Sequence, residues 1–294
     1  MARRPAGKPL RPKSPTVKTM AKAKSAGRAR TVAAKRSPAG NVGSGAKRKA
    51  PAANRKAPAA KQQRPIELYY WPTPNGWKIS IMLEECRLPY VMKPINISTG
   101  DQFKPEFLAI SPNNRKPAIV DPDGPGGRPI SVFESGAILQ YLGRKTGKFY
   151  PADERARTAV DEWLFWQMGG LGPMSGQAHH FRIYAPEKLQ YAIDRYTNEV
   201  HRLFGVMNIR LKDRPFLAGK YSIADMACVG WVSRWERQGQ DINEFPHLKR
   251  WLETLMARPA VERGIKLRVE EASKVDMKDP NVQALLFRQR ARSG

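Results

Sequence analysis

Apolar residues fall into two rhythms along this chain, and the change comes near residue 153. Ile66-Glu67-Leu68-Tyr69-Tyr70-Trp71 reads as a strand, stopped by the turn-forming run Pro72-Thr73-Pro74-Asn75-Gly76. Ile79, Met82, Leu83 and Cys86 then recur at helical spacing over residues 76–87, and a short strand is predicted near 90–95. A helix near 102–110, a turn at 111–114, strands at 117–120 and 130–133 around a Gly/Pro loop, and a helix over 135–145 follow. This order, β-α-β-α-β-β-α, predicts a small mixed sheet covered by helices, over residues 66–146. From Asp153 onward the strand rhythm disappears. Helical spacing covers about 153–180, 187–212, 223–238, 245–257 and 259–271, which predicts a second, all-helical domain over 153–271 and leaves 272–294 as a C-terminal tail. Ser222-Ile223-Ala224-Asp225 has the form of a capping box at one helix start.

Charge changes the picture at the other end. Residues 1–65 hold 19 of the 52 Lys and Arg and no Asp or Glu, so most of the formal +26 sits there. That segment has one Leu, no Ile and no aromatic residue. It cannot bury enough apolar surface to offset a chain entropy of about 1–2 kcal/mol per residue, so a disordered basic arm is expected. Such a density of cations suits non-specific contact with nucleic-acid phosphates. Two distant cysteines, Cys86 and Cys228, give neither a disulfide framework nor a zinc spacing, and a reducing, cytoplasmic setting is expected. No stretch reaches the roughly 18 apolar residues of a membrane-spanning helix. His179-His180 lacks further ligands at suitable spacing, and neighbours on a helix point apart, so no metal site is expected.

At the predicted start of the first helix, Thr73 and Asn75 offer a hydroxyl and an amide where backbone N–H groups and the helix dipole favour negative charge. Taken with Phe107 to Val120, Phe133-Glu134-Ser135-Gly136-Ala137-Ile138-Leu139, the run Trp163 to Met174 and Tyr221-Ser222-Ile223-Ala224-Asp225, this stretch resembles the glutathione transferase superfamily. The resemblance covers about residues 66–271 and is nearest to the bacterial Nu-type branch, whose members reduce disulfide bonds with glutathione and lack an active-site cysteine. It implies a thioredoxin-like N-terminal domain joined to an all-α C-terminal domain, and a homodimer.

The resemblance also implies roles. Thr73 would hydrogen-bond the glutathione sulfur, with Asn75 as second donor, because the thiolate is the nucleophile and must be stabilised. Pro117 matches the family's cis-proline, and Lys116 before it would contribute backbone rather than charge. Glu134 and Ser135 would hold the γ-glutamyl end, Gln102 and Arg115 the glycyl end, and Arg195 would reach the neighbouring subunit's glutathione. The Gly- and Pro-rich break at 169–173 predicts a second-substrate pocket from Trp163, Trp166, Gly170 and Pro173. Tyr69, Tyr70, Cys86 and Cys228 are expected to be structural. A transferase conjugating electrophiles is the alternative enzyme, and a dimeric platform for a nucleic-acid-binding arm is the alternative outside enzymes.

Overall fold

The computed structural model describes residues 63–270 and 274–291. The expectations for the basic arm therefore lie, through residue 62, outside the described residues.

Four strands form one sheet in the order β2-β1-β3-β4: β1 (Ile66–Tyr70), β2 (Tyr90–Pro94), β3 (Ala118–Asp121) and β4 (Ile130–Phe133). β1 runs parallel to β2 and antiparallel to β3, and β3 pairs antiparallel with β4. The parallel pair needs a crossover, supplied by α1 (Pro74–Cys86), whereas the β3–β4 pair closes over a short loop. Ile66, Leu68 and Tyr70 alternate on one face of β1 and are fully buried. The helix expected near 102–110 is shorter, a 3₁₀ turn at Asp101–Phe103 followed by α2 (Pro105–Leu108), because Pro105 can only open a helical segment and restarts it. α3 (Ser135–Thr146) completes the thioredoxin-like half.

The helical half consists of α4 (Glu154–Trp166), α5 (Gly172–His179), α6 (Gln190–Arg210), α7 (Ile223–Val232), α8 (Pro246–Met256) and α9 (Pro259–Lys266). Two wide, π-type turns, Gln167–Leu171 and His180–Tyr184, replace the single long helix expected over 153–180. Most of α1 is buried, including Trp77, Ile79, Ile81, Met82, Leu83 and Cys86, because it is wedged between the sheet and the helical half. Two glycines permit that wedge. A Cβ on Gly230 of α7 would lie 3.0 Å from the Pro74 carbonyl oxygen, and one on Gly264 of α9 would lie 2.7 Å from the Ile81 nitrogen.

The capping box is formed. Asp225 accepts from Ser222 N–H at 3.0 Å, from Leu217 N–H at 3.0 Å and from the Trp251 indole at 2.9 Å, which ties α7 to α8. Burial still pushes its pKa up to about 6. The segment read as a tail carries a further helix, α10 (Pro280–Phe287), whose approach is fixed by Gln283 donating to the Tyr184 carbonyl at 3.0 Å. Among the described residues no helix is long and apolar enough to cross a membrane.

Candidate functional site

Thr73 ends the turn after β1 in extended conformation and caps α1, its hydroxyl accepting from Gly76 N–H at 3.4 Å. Pro74 then takes the first helical position, where its missing N–H costs nothing. Asn75 follows, and its side-chain oxygen accepts from the Trp231 indole at 3.2 Å, so the amide nitrogen is left as the donor. Lys116-Pro117 is cis, as expected, at the entry to β3. Lys116 departs from expectation: its ammonium donates to the Thr73 hydroxyl at 3.0 Å, so its charge, and not only its backbone, reaches the cap.

These groups open onto a cavity of about 410 Å³. Thr73, Asn75, Gln102, Arg115 and Lys116 line it together, bringing five of the expected residues to one place. Gln102 is buried, donates to the Ile97 carbonyl at 3.3 Å and has no partner for its side-chain oxygen. Arg115 reaches Gln289, just beyond α10, at 3.1 Å. A second cavity of about 450 Å³ shares Asn75, Arg115, Gly176 and Trp231 with the first. Lys78, Gln167, Met168 and Pro173 line it too.

Glu134 and Ser135 stand at the start of α3 rather than among the residues lining these cavities. Glu134 has φ 66°, a left-handed conformation that costs a non-glycine residue about 1–3 kcal/mol and clusters at ligand sites. Ser135 Oγ lies 3.3 Å from the Lys78 ammonium, which is also bonded to Gln167 Oε1 at 2.8 Å. Lys78 is 1% exposed, and burial without a carboxylate partner lowers its pKa to about 7. Four of the buried polar atoms without a partner, on Trp77, Gln102, Gln167 and His179, belong to residues lining the two cavities. Buried polar groups are ordinarily hydrogen-bonded, so this concentration marks a place built for a polar ligand.

The expected aromatic wall lies elsewhere. Trp163 and Trp166 pack edge to face at 5.2 Å, with Arg210 over Trp163, and neither they nor Gly170 line either cavity. The aromatic surface of the first cavity comes instead from Trp77, Tyr184, Trp231 and Phe287. His179 and His180 also line it, and burial holds His179 near a pKa of about 4, so its imidazole is neutral at ordinary pH. Among the described residues no group of three His, Cys, Asp or Glu is placed to hold a metal ion. Sequence reasoning missed Lys78, Gln167, Trp231, Arg234 and Phe287. Lys78 alone left a signal, as a lysine amid the buried residues of α1.

Tyr69 donates to Glu67 and Tyr70 to the Leu267 carbonyl, away from the cap. Cys86 and Cys228 are buried and unpaired, and burial pushes both thiols up, away from thiolate. Arg195 is exposed on α6 and lines neither cavity of its own chain.

Residues 73–145 match the family description of the glutathione S-transferase N-terminal domain, and residues 170–259 that of its C-terminal domain. The disulfide-bond oxidoreductase YfcG of Escherichia coli is 52% identical over 202 residues, spanning 68% of this chain and 94% of that protein. YghU, a disulfide-bond oxidoreductase of the same organism, is 40% identical over 216 residues, spanning 69% and 74%. A glutathione transferase structure from Pseudomonas putida, with one glutathione disulfide bound per subunit, superposes with a TM-score of 0.68 at 44% identity, covering 71% of this chain and 94% of that one. Two matched domains and relatives that span the same stretch lead to one statement: the chain belongs to the glutathione S-transferase family.

Proposed function

We propose that the protein is a glutathione-dependent disulfide-bond oxidoreductase in which the thiolate of bound glutathione is the nucleophile. One observation carries this reading: hydroxyl, amide and ammonium donors converge on the Thr73 cap beside a polar cavity, whereas both cysteines lie buried with raised pKa. The thiolate attacks one sulfur of a substrate disulfide. A mixed disulfide forms, and the other sulfur leaves as a thiolate that takes up a proton. A second glutathione thiolate then attacks the mixed disulfide, releasing glutathione disulfide and the second substrate thiol, so two glutathiones are oxidised and one disulfide is reduced. Glu134 and Ser135 support the γ-glutamyl end, Gln102 and Arg115 the glycyl end, and the cis Lys116-Pro117 peptide offers extended backbone to the cysteinyl unit.

The test is a glutathione-coupled disulfide exchange assay on the double variant Cys86→Ser, Cys228→Ser. Retained turnover supports the glutathione thiolate. A folded but inactive double variant forces a cysteine mechanism, and a preference for aryl halides over disulfides points to a conjugating transferase.

A homodimer accords with α6. Tyr191, Arg195 and Ile209 fall on one face by helical spacing, and Tyr191 and Ile209 are 84% and 75% exposed. Arg195, exposed and away from its own cavities, is free to serve a partner's glutathione. Sedimentation decides this. The 19 cations and absent acids of residues 1–65 support non-specific binding of nucleic acid. A salt series with duplex DNA, comparing the full chain with one starting at Ile66, tests it: equal affinity would remove the arm from that role. The two unpaired cysteines fit a cytoplasmic setting.

A further inference from the structure

We infer that Lys116 is a positioning residue for the thiolate: its ammonium orients and polarises the Thr73 hydroxyl toward the glutathione sulfur and adds positive field there. The inference rests on the reading of bound glutathione given above.

Three observations support it. The ammonium donates to Thr73 Oγ1 at 3.0 Å, and Gly76 N–H approaches the same oxygen at 3.4 Å. With its lone pairs taken, the hydroxyl can act on a ligand only as a donor, and its one other contact, to the Trp71 carbonyl at 3.5 Å, is too long to hold the proton. Next, among the described residues no carboxylate pairs with Lys116 and none lines the cavity it faces. The ionisable groups facing that cavity are Arg115 on the same loop, His179, His180 and Tyr184, and Arg234 and Arg237 after α7. The field at the cap is therefore uncompensated and positive, and an opposite charge within a few ångströms favours a thiolate by one to three pKa units. Finally, burial and Arg115 lower the Lys116 pKa to about 8. The ammonium prevails below that value, so its contribution is full there and is lost as pH rises through it. A bound thiolate moves that limit upward.

The experiment titrates the thiol of bound glutathione by its thiolate ultraviolet absorbance in the wild type, Lys116→Met, Lys116→Gln, Lys116→Arg and Thr73→Ala, with glutathione affinity measured alongside. Lys116→Met should raise the apparent thiol pKa by about one unit, roughly a tenfold loss of thiolate at a pH below both values. Lys116→Gln keeps a hydrogen bond without charge and should follow the Met variant, while Lys116→Arg should return most of the shift. A Met or Gln titration that superimposes on the wild type overturns the inference. No thiolate signal in wild-type protein saturated with glutathione overturns the underlying reading of the site, and this inference with it. A normal wild-type titration lost in Thr73→Ala but intact in Lys116→Met would uphold the site and sink Lys116 alone.

Discussion

Lys78 on α1 and Lys116 beside its first turn are both cations without a carboxylate partner among the described residues, yet their surroundings differ. Lys78 is enclosed, its ammonium held by Gln167, Ser135 and the Met168 sulfur. Lys116 is half-buried, held by Thr73 alone, and faces the larger polar cleft. An uncompensated buried charge is costly, and the enclosed one costs more: burial brings Lys78 to about 7 but Lys116 only to about 8. The contrast separates two uses of a cation. The enclosed one is fixed in place as an anchor for a carboxylate near Ser135, whereas the open one sits where charge changes during reaction.

Thr73→Ala should break the open side most severely. It removes both the proposed hydrogen bond to sulfur and the partner of Lys116, and a charged hydrogen bond of about 1.5–3 kcal/mol corresponds to a loss of about 10- to 150-fold in turnover. Steady-state kinetics in the disulfide exchange assay measures this, and unchanged rates exclude Thr73 from the sulfur site. Lys78→Met should act on the enclosed side, raising the dissociation constant for glutathione by about tenfold, or ~1.4 kcal/mol, as calorimetry would read it.

The same variant carries a pH signature. Folded Lys78 gives up its proton near 7 while the unfolded chain keeps it to about 10.5, so the unfolded state binds more protons across that window. Wild-type stability therefore gains from Lys78 as pH rises through it, and Lys78→Met should be relatively most stable below pH 7, its advantage narrowing toward 10.5. Thermal unfolding either side of the window checks the sign. An advantage that grows with pH contradicts the picture of an uncompensated buried cation.

Smaller effects sharpen the boundary of the cleft. Phe287→Ala strips one aromatic from its wall and an edge-to-face contact with His180 at 4.6 Å, so KM for a disulfide should rise about 2- to 10-fold with kcat little changed. An unaltered KM would detach α10 from the site. Cys86→Ser and Cys228→Ser, far from either lysine's role, should each keep activity within about twofold while losing ~1–3 kcal/mol of stability for a hydroxyl placed in an apolar core.

Local chemistry explains which parts were legible. The strand pattern of β1, the Pro-Asn-Gly helix start and the Ser222–Asp225 cap each follow from neighbouring residues, and each is present. The cleft's own wall was not legible, because Trp77, Trp231 and Phe287 meet only through packing between segments far apart in the chain. Trp163 and Trp166 drew attention as an aromatic pair beside glycines, yet they spend their surface on each other and on Arg210. α10 was missed because a short helix among charged residues has no long apolar stripe to announce it.

The wide turns on either side of α5 bear on how this chain tolerates a change in length. A π-type turn holds about one residue more than an α-helical turn, so removing Gly169 or Gly170 would let the first of them regularise instead of breaking the helix. One residue is about 100° of rotation in an α-helix. The deletion would thus preserve helix content while swinging Gly176 and His179 of α5 away from the cleft they line. Circular dichroism would scarcely register the loss, but the binding surface would be gone; an alignment gap at this point between otherwise similar chains would mark a changed ligand rather than a harmless trimming.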